Sequence, residues 1–276
     1  FIFKISRIFF CRYKSNNFNF FFIHSLTVYD ITNFFNMRTI ARIDIKNESV
    51  IKGINLEGLR KIGDPINIAK EYYEKGIDEL LIIDSVASLY GRNNLFDLIK
   101  NITKDIFVPI TLGGGIRSLK DIENALNSGA DKVAINSMAL ENPNFLKEAV
   151  SNFGESTIVV NIEAKKIMNN IWEPYKFCGR EKTGLNVNSW IETIINKGCG
   201  EILLTSIDKE GTETGFDIEL INNVYKKISK PLIVSGGCGN LSDIKKLRKN
   251  FQSVSVALAS VLHYKILNIS EIKKVF

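Results

Sequence analysis

The chain has 276 residues, of which 45% are hydrophobic and 24% charged, with a formal net charge of +6. These are the proportions of a soluble globular protein, large enough to bury a core without disulfides or a structural metal. Lysine and arginine are scattered rather than gathered in one run, which argues against nucleic acid as a partner, and no apolar run approaches the ~18 residues of a membrane span.

The four cysteines, Cys11, Cys178, Cys199 and Cys238, form no CxxC pair, and the only histidines are His24 and His263. Neither a metal nor a cofactor is expected on this count, and free thiols fit a reducing, cytoplasmic setting.

In chain order, residues 1–36 come first and differ from the rest. They are crowded with Phe, Ile and Asn, show no helical or strand periodicity, and precede the first methionine, Met37. They are expected to be an extension outside the domain, either translated upstream sequence or a targeting segment, since Lys4, Arg7, Arg12 and Lys14 precede the first acid, Asp30. The domain is expected over 37–276.

From Met37 onward, strand-like runs alternate with amphipathic helical stretches. The strands are TIARIDI from Thr39, ELLIID from Glu79, VPITLG from Val108, KVAIN from Lys132, TIVVNIE from Thr157, EILLTS from Glu201, PLIVSG from Pro231 and SVSVALAS from Ser253. Between them lie segments such as INIAKEYYEKG, LKDIENALNSG, NSWIETIINKG and LSDIKKLRKN. Strand–helix alternation implies a parallel sheet, and eight repeats in this length imply a closed (β/α)8 barrel.

The chain is also written twice. Pro109–Gly115 followed by Leu119–Ile122 matches Pro231–Gly237 followed by Leu241–Ile244, at an offset of 231 − 109 = 122. Gly76-Ile-Asp-Glu79 matches Gly198-Cys-Gly-Glu201 at the same offset, and Ile43–Lys46 matches Ile162–Lys165 at 119. Four matches in one order describe two similar half-barrels.

Function in such a barrel gathers at the C-terminal ends of the strands. Two glycine-rich groups fall there: Gly113, Gly114 and Gly115 with Asn136 and Ser137, and Ser235, Gly236 and Gly237 with Ala259 and Ser260. Glycine lets backbone N–H groups approach an anion closely, so equivalent sites in both halves suit a ligand with a phosphate at each end. Asp44 and Glu163, at the tips of equivalent strands, are expected to face each other between those sites and to divide acid and base roles. Lys52, in the loop after the first strand, is placed to swing over the site.

These residues carry a resemblance. From Met37 to the end, the stretches RIDIKNESVIKGINLEGLRKIGDP, GIDELLIID, PITLGGGI, GADKVAINS, GEILLTSIDKEGTETGFD, IVSGGCG and ALASVLH resemble the cyclase subunit of imidazole glycerol phosphate synthase, of histidine biosynthesis. The resemblance implies that ammonia, supplied by a separate glutaminase subunit on the N-terminal face, crosses the barrel and closes an imidazole from a bis-phosphate precursor. Carried over position by position, Asp44 and Glu163 take the catalytic places and Lys52 that of the loop lysine. Asn136, Thr205, Asp208, Glu210 and Ser235 take substrate-contacting places, and Arg38, Glu79, Lys132 and Glu201 form an ammonia gate.

The sequence departs from the family pattern where Glu163 and Glu210 replace aspartates and Arg42 replaces a small residue. A Glu carries its carboxylate roughly 1 Å or more further out, and about 1 Å of misplacement can cost on the order of 10²-fold in rate. The departures leave two alternatives to the cyclase open. One is a paralogue that delivers ammonia to a sugar acceptor in surface polysaccharide amidation. The other is a catalytically weak subunit that activates a glutaminase.

Overall fold

The structure is a computed structural model that describes residues 37–87 and 95–275; the segment 1–36, expected to be an extension, lies outside the described residues. Eight parallel strands form the barrel: β1 (Thr39–Lys46), β2 (Glu79–Asp84), β3 (Ile110–Gly113), β4 (Lys132–Ile135), β5 (Ile158–Met168), β6 (Glu201–Ser206), β7 (Leu232–Ser235) and β8 (Val254–Leu258). Each pairs with the next in order, and β8 returns to β1 through Thr39↔Val256, which closes the ring.

Why these runs become strands follows from their two-residue period. On β1, Ile40 points into the barrel while Ala41, Ile43 and Ile45 point out to the helices; on β6, Leu203 points in while Ile202 and Leu204 point out. Each strand thus serves two cores, which is why it reads as unbroken hydrophobic sequence. The inner core is small: Ile40, Leu81, Ile83, Ala134, Val159, Leu203, Ile233 and Ala257.

Among the described residues, eight helices cover the outside of the sheet: α1 (Pro65–Glu74), α2 (Phe96–Ile102), α3 (Leu119–Asn127), α4 (Asn144–Phe153), α5 (Val187–Asn196), α6 (Ile218–Tyr225), α7 (Leu241–Asn250) and α8 (Ile269–Lys273). The repeat extends to how they begin. The Ser118 hydroxyl accepts from Asp121 N and the Asp121 carboxylate accepts from Ser118 N; at an offset of 122, Asn240 and Asp243 make the same reciprocal cap. Each cap satisfies two orphan N–H groups and contributes about 1 kcal/mol. The buried faces match too, with Ile122 and Ala125 on α3 against Ile244 and Leu247 on α7.

Two features of the mouth interrupt this regularity. Strands β1 and β5 run past the rim and turn back as antiparallel hairpins, Ser49–Ile54 with Glu57–Gly63 after β1, and Ile171–Lys176 with Glu181–Lys182 after β5. The region around Lys52 is therefore a strand, where a loop was expected. Short helices, Ser137–Glu141 and Ser260–His263, follow β4 and β8 at equivalent places. No helix among the described residues is long and apolar enough to cross a membrane.

Candidate active site

The C-terminal ends of the strands surround three openings. A cleft of about 620 Å³ is lined by Gly113, Gly114 and Gly115 after β3, by Asn136 and Ser137 after β4, and by Asn161 and Glu163 of β5. A smaller one of about 270 Å³ is lined by Ser235, Gly236 and Gly237 after β7 and by Ala259 and Ser260 after β8, with Glu210 at its edge. Between strand β1 and the first hairpin lies a third, about 440 Å³, with Arg42, Asp44, Lys52, Ser85, Cys178 and Arg180 on its wall.

The glycines are demanded by the backbone. Gly114 has φ +89°, and a Cβ there would lie 2.2 Å from the Asp84 carbonyl oxygen; Gly237 has φ +97°, and a Cβ would lie 2.2 Å from the Gly215 oxygen. No other residue fits either place. The two turns are equivalent in the repeat and expose backbone at opposite halves of the mouth.

Arg42 occupies the centre. It is 2% exposed and points inward from β1. Its Nε donates to Asp44 Oδ1 at 3.0 Å and Oδ2 at 3.1 Å, and its Nη1 donates to Thr205 Oγ1 at 3.0 Å and Ser235 Oγ at 3.2 Å. The nearby carboxylates Asp44, Glu210 and Glu163 outweigh burial and keep the guanidinium charged, with its pKa raised.

Glu163 has a different environment. Asn136 Nδ2 donates to its Oε2 at 3.0 Å, Gly179 N to Oε2 at 2.9 Å, and Asn161 Nδ2 reaches Oε1 at 3.4 Å. Burial is the largest influence and pushes its pKa to about 7, opposed in part by Arg42 and the Gly179 bond and helped by the charge of Asp44. A carboxyl held there carries a proton for part of the time at neutral pH.

The hairpin brings Lys52 inward, where its ammonium pairs with the buried Glu210 carboxylate. Burial alone would push Glu210 up, but Lys52 and Arg42 outweigh it and hold the group below the usual carboxylate range. The hairpin tip is pinned by Asn55, whose N donates to Glu210 O at 2.7 Å and whose Nδ2 donates to Ile207 O and Asp208 O at 3.1 and 3.2 Å. In the short helix after β8, burial keeps His263 neutral, its pKa lowered to about 4, and its Nδ1 lies 2.7 Å from the Tyr72 hydroxyl.

At the opposite end of the barrel, four charges close a ring. Arg38 pairs with Glu79 at 2.5 Å and with Glu201, and Lys132 bridges the same two acids at 3.2 and 3.0 Å. The Thr111 hydroxyl donates to Glu79 Oε1 at 2.7 Å. The acids are nearly buried while the cations reach solvent, so the ring faces outward as positive and inward as negative.

The sequence profile described as "Histidine biosynthesis protein" matches residues 38–268. The imidazole glycerol phosphate synthase subunit HisF of Legionella pneumophila is 50% identical over 208 residues, which is 75% of this chain and 98% of that protein. Those of Lactococcus lactis subsp. lactis and Streptococcus mutans serotype c are 43% and 39% identical over 237 residues each, 86% of this chain and 92% and 94% of theirs. The chain belongs to the HisF family.

Within that family frame, the residues singled out from sequence fall into distinct groups. Gly114, Gly115, Asn136, Ser137, Ser235, Gly236, Gly237 and Ser260 line the two glycine clefts, although Ser137 Oγ already accepts from Phe177 N at 3.0 Å. Thr205 and Ser235 are held by Arg42, and Glu210 by Lys52. Asp208 lines none of the three openings; its Oδ2 accepts from Lys166 N at 2.7 Å. Sequence reasoning passed over Asn161, Gly179 and Cys178. Asn161 had a readable signal, since it lies two residues before Glu163 on a strand and so shares its inward face. Gly179 and Cys178 reach the site from the turn of the second hairpin, between Lys176 and Glu181, and nothing local in the sequence foretells that.

Proposed function

We propose that this HisF-family protein is the cyclase subunit of imidazole glycerol phosphate synthase. It takes a phosphoribulosyl-formimino aminoimidazole carboxamide ribotide, uses ammonia to close the imidazole ring, and releases imidazole glycerol phosphate and the aminoimidazole carboxamide ribotide. The observation that carries this reading is the make-up of the mouth: a glycine-walled cleft in each half, the first also carrying Glu163 on its wall, and a third opening lined by Asp44. Such a set suits one long substrate with a phosphate at each end and its reacting atoms beside the two carboxyls.

The roles follow from the surroundings. Glu163, which holds a proton near neutrality, donates to the departing group. Asp44, anchored by Arg42 Nε, accepts a proton from the attacking nitrogen. Lys52, fixed by Glu210 under the docked hairpin, offsets the charge that substrate brings into the closed site. A HisH-like glutaminase docks on the N-terminal face, where the Arg38–Glu79–Lys132–Glu201 ring admits ammonia to the apolar interior. Neutral ammonia crosses such a lining readily and ammonium does not.

The test uses the full chain, the two-phosphate precursor and saturating ammonium, with no partner present. Appearance of imidazole glycerol phosphate is the expected result. A precursor that binds without yielding product would move the assignment to a different ammonia acceptor.

A further inference from the structure

One layer of the barrel interior is polar. The residues two positions beyond the inner apolar cluster on β1, β5, β6 and β7 are Arg42, Asn161, Thr205 and Ser235. Arg42 spans three of these strands through its bonds to Thr205 and Ser235, which leaves the β5 side, where Asn161 stands directly below Glu163. Asn161 is 5% exposed, and its Oδ1 is buried with no partner. Asn136 repeats the arrangement: its Nδ2 also donates to Glu163, and its Oδ1 is also buried and unpartnered.

Two orphaned carbonyl oxygens beside one carboxyl are a costly combination unless a ligand completes it. Asn136 Nδ2 donates to Glu163 and to Tyr175 O, and Asn161 Nδ2 reaches Glu163, so both oxygens turn away from the carboxyl and offer acceptors. A phosphate, itself all acceptors at the contact, is repelled there and belongs to the glycine turns of the same cleft. The complement of this corner is a small group rich in N–H donors.

We propose that Asn161, Asn136 and Glu163 form a receiving site for ammonia at the head of the barrel interior, the two amide oxygens engaging N–H groups and leaving the nitrogen lone pair free to attack. The choice of ammonia over another small amine rests on the cyclase reading; the donor-rich character of the ligand does not.

The side-chain amide resonances of the full chain, labelled with nitrogen-15, report occupancy without any turnover. Titration with ammonium chloride at mildly alkaline pH shifts Asn136 and Asn161 saturably, and sodium chloride at equal ionic strength does not. Equal shifts with both salts, or none, mean that water alone satisfies the oxygens and overturn the proposal. In Asn161→Leu, which removes the acceptor and the amide donor to Glu163 at similar volume, the KM for ammonium rises about tenfold, the effect of losing roughly one hydrogen bond, and the KM for the precursor rises far less. Asn161→Thr, which keeps an oxygen, recovers most of that loss. An ammonium KM unmoved by Asn161→Leu, or a precursor KM that rises as far, also overturns the proposal. A wild-type chain with no turnover but a saturable ammonium shift would retire the cyclase reading and leave the amine site standing.

Discussion

Arg42 and Asn161 occupy the same place in the two half-barrels, 161 − 42 = 119 residues apart and each two residues before an acid. One half thus offers its carboxyl a cation, the other an amide, and the duplicated acids acquire different chemistry. Asp44→Asn keeps the shape but loses the charge; it is expected to abolish ammonia-dependent turnover while precursor affinity stays within a few-fold, read from kcat beside a binding titration. Glu163 is expected to show itself in the pH profile. At saturating free ammonia, kcat/KM should hold level below about pH 7 and fall about tenfold per unit above it, and Glu163→Gln should be slow and flat. Stability moves in the same window. The folded chain binds this proton more tightly than the unfolded one, so stability is lost as pH rises from the ordinary carboxylate value of 4.5 through about 7. Glu163→Gln should therefore gain stability over wild type at about pH 8, on the order of 3 kcal/mol, and no more than about 1 kcal/mol at about pH 5, measured by urea unfolding. That Asp44 and Glu163 are equivalent was legible in the repeat. The proton on Glu163 was not, because it depends on burial and on donors such as Gly179 that lie elsewhere in the chain.

Among the elements, strands and capped helices were the easiest to read, since each is announced by residues within a few positions of one another. The β2 run ELLIID is buried throughout, and the caps of α3 and α7 sit three residues from their partners. The hairpin Ser49–Gly63 was read as a loop because Gly53 and Gly58 interrupt it and its turn is Asn55-Leu56 rather than Asn-Gly. Both turn residues take positive φ, +53° and +65°, and their stability comes from contacts about 150 positions away. Asn55 tolerates that backbone and supplies three of the bonds that dock the hairpin tip. Asn55→Ala removes the side-chain pair and adds strain of about 1 kcal/mol or more. The hairpin is expected to undock, lifting Lys52 from Glu210. Turnover should fall about tenfold and trypsin should cut faster at Arg60 and Lys61, while global unfolding, which follows the closed barrel, should stay where it is.

At the scale of the whole molecule, the barrel axis reads as a sequence of layers: the charged ring at the strand starts, the small apolar core, the polar layer of Arg42 and Asn161, and the acids at the mouth. Each layer is assembled from strands of both halves, so no single segment of sequence displays it; only the offset of 122 between Glu79 and Glu201 hints that the ring is shared. The ring's members differ in what their loss should do, and burial decides the difference. Arg38 keeps 29% of its side chain exposed, whereas Glu79 keeps 2% and is held by Arg38, Lys132 and Thr111 at once. Arg38→Ala opens the ring on its solvent side and leaves Lys132 to neutralise both acids. It should fold, turn over free ammonium within a few-fold of wild type, and make less product per glutamine consumed when the glutaminase supplies the nitrogen. Glu79→Ala leaves Arg38 and Lys132 to share Glu201 and leaves the buried Thr111 hydroxyl without its acceptor at the base of the core, a change that costs about 1–3 kcal/mol. Its urea midpoint should drop sharply before any effect on coupling can be measured. A ring that served only to hold the fold would instead show Arg38→Ala with unchanged product per glutamine, and the passage of ammonia through this end of the barrel would then have to be given up.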